Sequence, residues 1–134
     1  MTITRINPED MHEPPGYHHV TIATAGRLAF IAGQCPLDRW GTVVGRNDVE
    51  AQVDQVAANA LTALAAAAAR PEHVVRSVIY VGSRDRATLA TVWRRFGQSA
   101  IASAFTSAST LLGVAQLGFT GQLVELDLTA VVPD

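Results

Sequence analysis

The period at which apolar residues recur changes several times along the chain. Residues 17–24, YHHVTIAT, and 28–34, LAFIAGQ, are short runs rich in β-branched and aromatic side chains, which suits strands. Ala25-Gly26-Arg27 makes a turn between them, so the two runs predict a hairpin. Over 49–69 the period lengthens. Val49, Val53, Val56, Ala60, Leu61 and Leu64 recur at helical spacing, with Glu50, Gln52, Asp54 and Gln55 mostly off their stripe. Asn47 or Asp48 can cap this helix, the alanines at 65–69 favour it and permit close packing, and Pro71 ends it.

Residues 74–82, VVRSVIYVG, predict a buried strand. Residues 86–101 predict a second helix, with Asp85 as cap and Leu89, Val92, Trp93 and Phe96 as its apolar face. Two further strands fall at 109–117 and 122–132. The last alternates strictly: Leu123, Glu125, Asp127 and Thr129 on one face, Val124, Leu126, Leu128 and Ala130 on the other. Residues 1–16 hold three prolines and several charges and read as an irregular arm. Residues 35–47 read as a loop with a short ribbon at 42–44. The order β-β-α-β-α-β-β in a single domain over 1–134 predicts an α+β sandwich, one mixed sheet covered on one face by two helices. The bare face is then expected to pack against other copies of the chain.

Composition narrows the chemistry. All ten cationic residues are arginine, so no side-chain amine can form a Schiff base. The formal charge of -2 gives no electrostatic case for nucleic acid. Cys35 is the single cysteine, which excludes an intrachain disulfide and fits a reducing, cytoplasmic location. The first residues lack the apolar core of a signal peptide, and the Ala-rich runs are too small in bulk to span a membrane. His12, His18, His19 and His73 form no helical metal-binding pair, so no metal is expected.

Glu125 and Asp127 share a strand face. They are either two solvated carboxylates or an acid/base or ligand-anchoring group in an interface cleft. His18 and His19 are consecutive on a strand and face opposite sides. Cys35 reads as an inert small residue and Arg94-Arg95 beside Trp93 as a solvated helix face. Tyr17 at a strand start fits packing as readily as catalysis.

Several segments together resemble the RidA/YjgF family, also called endoribonuclease L-PSP. They are GYHHV at 16–20, RLAFIAGQCPLDRWGTVVG at 27–45, Gln52 with VAANALTAL at 56–64, VVRSVIYV at 74–81 and LVELDLTAVV at 123–132. The resemblance implies a chorismate-mutase-like fold and a homotrimer with three small-molecule clefts between subunits. It also implies hydrolysis of reactive enamines and imines, such as 2-aminoacrylate, without metal or organic cofactor. In such proteins an arginine on the penultimate strand binds the substrate carboxylate. A glutamate on the last strand, a tyrosine near the start and backbone groups place water.

Carried over residue by residue, Tyr17 matches the tyrosine, Gly33 the cleft glycine and Glu125 the glutamate. The departures are informative. Family deaminases read Arg-Ser-Cys-x-x-Val-Ala, and alignment on Val114-Ala115 puts Ser109 at the arginine and Leu111 at the cysteine. Ala32 stands where serine is common, and Ala90 where an asparagine is often found. Serine keeps only a neutral hydrogen bond, so a retained cleft with a neutral or less acidic ligand is expected, with Tyr17 and Glu125 catalytic. Arg27 or Arg39 could supply a replacement cation. The competing readings are a metabolite-binding or sensing trimer without turnover and, against the charge balance, a ribonuclease.

Overall fold

The strand with the strictest alternation organises the molecule. The computed structural model describes residues 2–24 and 26–134. In chain order its strands are β1 (Ile3–Ile6), β2 (Val20–Ala23), β3 (Leu28–Gln34), β4 (Val74–Val81), β5 (Ala108–Gly113) and β6 (Val124–Val131). The helices are α1 (Val49–Ala66) and α2 (Arg86–Phe96). β6 pairs antiparallel with β3 on one side and β4 on the other, and β5 runs parallel to β4, giving the order β3-β6-β4-β5. A mixed sheet with two helices makes this an α+β fold.

Val124, Leu126, Leu128 and Ala130 are buried, whereas Glu125, Asp127 and Thr129 are half-buried. The alternation therefore does what the period demands: one face seals the core and the other carries the polar groups. Val53, Val56, Ala60 and Leu64 of α1 and Val92 and Phe96 of α2 complete that core with Ile79 and Val81 of β4. Burying each larger aliphatic side chain contributes about 2 kcal/mol.

Both helices start on the caps the sequence offers. Asp48 accepts from the Ala51 amide at 3.1 Å and Asp85 from the Ala87 amide at 2.9 Å. Arg95 forks onto Asp54 at 2.9 and 2.7 Å and reaches Glu50, so α2 is tied to α1 at the surface. The guanidinium holds the Asp54 carboxyl below its usual range. Arg95 is thus an inter-helix pairing residue, not part of a free basic face.

Four expectations are corrected. The arm at 1–16 contains a strand, since Ile3–Ile6 pairs antiparallel with Val20–Ala23. The period-two ITRI is followed by charges and prolines that hide it in the sequence. The expected hairpin of 17–24 with 28–34 does not form among the described residues: β2 pairs with β1, while β3 takes its partner from β6. The Ala25 of its turn lies outside the described residues. The resulting ribbon docks at the start of β5, where the Ala108 amide donates to Thr21 Oγ1 at 2.8 Å. The helices stop at Ala66 and Phe96, short of residues 69 and 101, because Ala68 turns left-handed at φ 57° and Gly97 caps α2. Finally, the α1 stripe holds at Val53, Val56, Ala60 and Leu64, which are buried, but departs at two positions. Leu61 is 38% exposed while Gln52 is fully buried.

Gln52 is buried because it is fully satisfied. Its amide donates to the carbonyls of Gly45 and Gly121 at 3.1 and 2.9 Å and accepts from the Leu123 amide at 2.7 Å. One side chain thereby joins the long loop, the turn before β6 and the residue that leads into β6. Among the described residues no helix is long and apolar enough to cross a membrane.

Candidate functional site

Glu125 projects from β6 on the face away from the helices. Opposite it, β3 carries a bulge: Ile31 pairs with Leu128 and Gln34 with Leu126, so three steps on β3 match two on β6. The bulge falls at Ala32-Gly33 and brings the Gly33 backbone under the Glu125 carboxylate. A Cβ at Gly33 would collide with that carboxylate. Glycine is needed here for close approach.

Two donors fix the carboxylate. Gln122 Nε2 and Cys35 Sγ both donate to Glu125 Oε1, at 3.1 and 3.3 Å. Oε2, against Gly33, receives no protein donor among the described residues. The donors are themselves held. Gln122 is buried and accepts from the Phe119 amide at 3.1 Å. Asn59 of α1 donates to the carbonyls of Cys35 and Leu37 at 3.0 and 2.8 Å and pins the loop that carries the thiol. Leu37 also bridges Val43, in the region of the expected short ribbon.

Burial, reinforced by the hydrogen bond to Glu125 and its negative charge, pushes the Cys35 thiol up from 9.0 to about 11. The thiol is a neutral donor at pH 7 and a poor nucleophile. Between pH 9 and 11 the unfolded chain has lost this proton while the folded chain keeps it, so stability falls as pH rises through that window. At pH 8, alkylation of Cys35 by iodoacetamide is expected to be about a hundredfold slower in the folded than in the urea-unfolded chain, in proportion to thiolate. Glu125→Gln should narrow that gap. Equal rates in folded and unfolded wild type would contradict the arrangement.

The other candidates gather elsewhere. Pro15, Tyr17, Ala90, Trp93, Ser109 and Leu111 line a cavity of about 140 Å³ between the N-terminal arm, α2 and β5. Trp93 Nε1 donates to the Pro15 carbonyl at 3.0 Å and holds the arm down. Tyr17 meets Trp93 and His19 edge to face, and its hydroxyl lies 3.3 Å from His12 Nε2. Among the described residues no charged side chain lines this cavity. The Ser109 hydroxyl is engaged by Ser77 Oγ at 2.6 Å and donates toward the carbonyls of Ser107 and Phe105.

The sequence candidates thus fall into two groups within one chain. Gly33 and Glu125 stand together at the β3–β6 bulge, with Ala32 exposed beside them. Tyr17, Ala90, Ser109 and Leu111 line the small cavity. Arg39 does not reach that cavity; it stacks over Trp40 at 5.3 Å and borders a larger one, about 630 Å³, together with Gly33 and Cys35. Arg27 borders neither cavity. Asp127 stays on the open sheet face opposite Val78. His18 Nδ1 bonds the Thr106 carbonyl and His19 Nε2 the His12 carbonyl, which makes both structural anchors. Asn59 and the donor role of Cys35 escape sequence reasoning because each acts through a contact between distant segments, and Gln122 because its local turn toward Glu125, three residues on, leaves no pattern in the sequence. Among the described residues no group of three or more His, Cys, Asp or Glu side chains is placed to hold a metal.

The fold is thus an α+β sandwich whose β3–β6 bulge cradles a glutamate. The family model for Endoribonuclease L-PSP matches residues 11–132, and the chain belongs to that family. It is 32% identical over 117 residues to Protein DfrA of Myxococcus xanthus, covering 86% of this chain and 84% of DfrA. Its structure is similar to that of YyfB, a Rid-family protein of unknown function from Yersinia pestis. The TM-score is 0.88 at 35% identity, covering 98% of this chain and 99% of that one. A YjgF-family member from Neisseria meningitidis shares the fold at TM-score 0.62 and 24% identity, over 100% of this chain and 98% of its own.

Proposed function

We propose that the protein is a homotrimeric hydrolase of imines, enamines or related small carbonyl compounds, with its specificity shifted away from amino-acid-derived substrates. The observation that carries this reading is the two-group layout. Oε2 of Glu125 is open for proton transfer while Oε1 is clamped, yet Tyr17 and Ser109 line a different cavity of the same chain. A second copy supplying its Tyr17 side to the Glu125 of the first makes a complete site. The partly exposed apolar residues of the open sheet face, Leu28, Phe30 and Leu112, support association.

In this mechanism Glu125 Oε2 accepts a proton from water as its oxygen bonds to the imine carbon. That proton passes to nitrogen to give a carbinolamine, and the carboxylate then carries the hydroxyl proton to the same nitrogen as the C–N bond breaks, so that carbonyl and ammonia leave. Tyr17 orients the reacting group. Cys35 and Gln122 are positioning residues. The part of the ligand beside Ser109 is uncharged, because the cavity offers no cation and the hydroxyl there is already engaged. An α-carboxylate would sit unpaired in that place.

A semicarbazide-coupled assay with 2-aminoacrylate tests this, with an arginine-bearing family member as control. The expected result is no acceleration by this protein, but acceleration with the imine of an uncharged aldehyde. Acceleration of 2-aminoacrylate at the control's rate would overturn the specificity assignment. Thermal stabilisation by such ligands without product would replace the hydrolase by a metabolite-binding trimer, a reading favoured by the engagement of both Ser109 and Glu125 Oε1.

A further inference from the structure

A second cavity opens on the same α2–β5 seam as the uncharged one. It measures about 400 Å³ and is bordered by Ser83, Arg84, Arg86, Leu89, Gly113 and Ala115, among others. Ser109 and Leu111 of β5 line the first cavity and Gly113 the second, two residues further along the same strand face. On α2, Ala90 borders the first and Leu89 and Arg86 the second. The Leu89 side chain lies between them, 3.6 Å from where a Gly113 Cβ would lie, with the Ser83 carbonyl closer still.

The two cavities differ sharply in charge. Neither Arg84 nor Arg86 makes a salt bridge among the described residues. Asp85 lies between them in sequence, but its carboxylate is turned to the Ala87 amide as a helix cap. The three side chains leave one net positive charge at this end of the seam. That suits a monoanion better than a dianion.

We infer that the seam between α2 and β5 binds an elongated amphipathic carboxylate, its apolar body over Trp93, Ser109 and Leu111 and its carboxylate at Arg84 and Arg86. The inference rests on the proposed site and extends it: the cation missing at Ser109 is supplied further along the strand. Arg86 is one helical turn from Ala90, and Ser109 to Gly113 spans about 13 Å of strand, so the body separating the two ends is about 10 Å long. The reacting centre would then be remote from the acid group, which separates this substrate class from amino-acid-derived enamines. A guanidinium presents the forked donors a carboxylate requires.

Isothermal titration of the full chain with octanoate, 1-octanol, acetate and octyl phosphate tests this. Octanoate should bind about tenfold more tightly than 1-octanol, a charge-assisted contact's worth, and acetate not detectably. The Arg84→Gln/Arg86→Gln double variant should bind octanoate no better than octanol, while Arg39→Gln leaves the preference intact. Equal affinity for octanoate and octanol in the wild type would overturn the carboxylate end yet leave the uncharged pocket standing. Binding of neither would overturn both. Tighter binding of octyl phosphate, or loss of the preference in Arg39→Gln alone, would refute the assignment to a monoanion at Arg84 and Arg86.

Discussion

Gln52→Leu is expected to lower the unfolding free energy by about 3 kcal/mol, a fall in Tm of roughly 10 °C for a chain of this size. Leucine nearly conserves the volume, so little of this loss is cavity formation. It comes from three backbone groups. The Leu123 amide and the carbonyls of Gly45 and Gly121 lose their side-chain partner, although the Gly45 carbonyl keeps the Asp48 amide at 2.9 Å. Gly121 is exposed and its carbonyl can turn to water, which keeps the figure below three full desolvation penalties. Gln52→Glu separates the contributions. It keeps an acceptor for Leu123 but sets a carboxylate against two carbonyls, so it should be at least as harmful. Urea unfolding of the three proteins measures this; a loss under about 1 kcal/mol for Gln52→Leu would show that water replaces the glutamine.

The same glutamine marks where reading the sequence fails. Periodicity located β6, β4 and the core face of both helices because those rest on burial of apolar area, which composition records directly. Gln52 lies on the buried side of α1 although its polarity suits the solvent side, and Leu61 is exposed although its apolarity suits the core. A polar residue is buried when distant backbone groups need it, and local sequence holds no trace of them. Strand pairing failed likewise. β2 and β3 are adjacent in sequence, but β6 offers β3 a longer apolar partner, and β2 joins the hidden β1. Glu125 and Gly33 were legible through family resemblance. That one needs the other was not, because it follows from a one-residue bulge visible only in the register.

Glu125→Gln and Gly33→Ala are expected to reduce turnover of a neutral imine to a similar extent, about a hundredfold or more, the usual size of a general acid–base contribution. The first removes the group that carries the proton in the proposed mechanism. The second leaves the carboxylate in the chain but occupies the space it rests in, since an alanine Cβ and the Glu125 carboxylate cannot coexist over β3. Glu125 must then swing away from Gln122 and Cys35, and its oxygens leave the reacting position. Because both changes act on one group, the double variant should be hardly worse than either single one, a large non-additivity. Cys35 gives a readout that does not depend on activity. Its thiol is held protonated partly by Glu125, so both variants should speed its alkylation at pH 8. Global unfolding would also expose the thiol, so circular dichroism must show each variant folded. If folded Gly33→Ala keeps wild-type turnover and wild-type thiol reactivity, the carboxylate does not depend on the glycine. If both variants speed alkylation but turnover stays unchanged, the clamp is real and Glu125 is not the proton carrier.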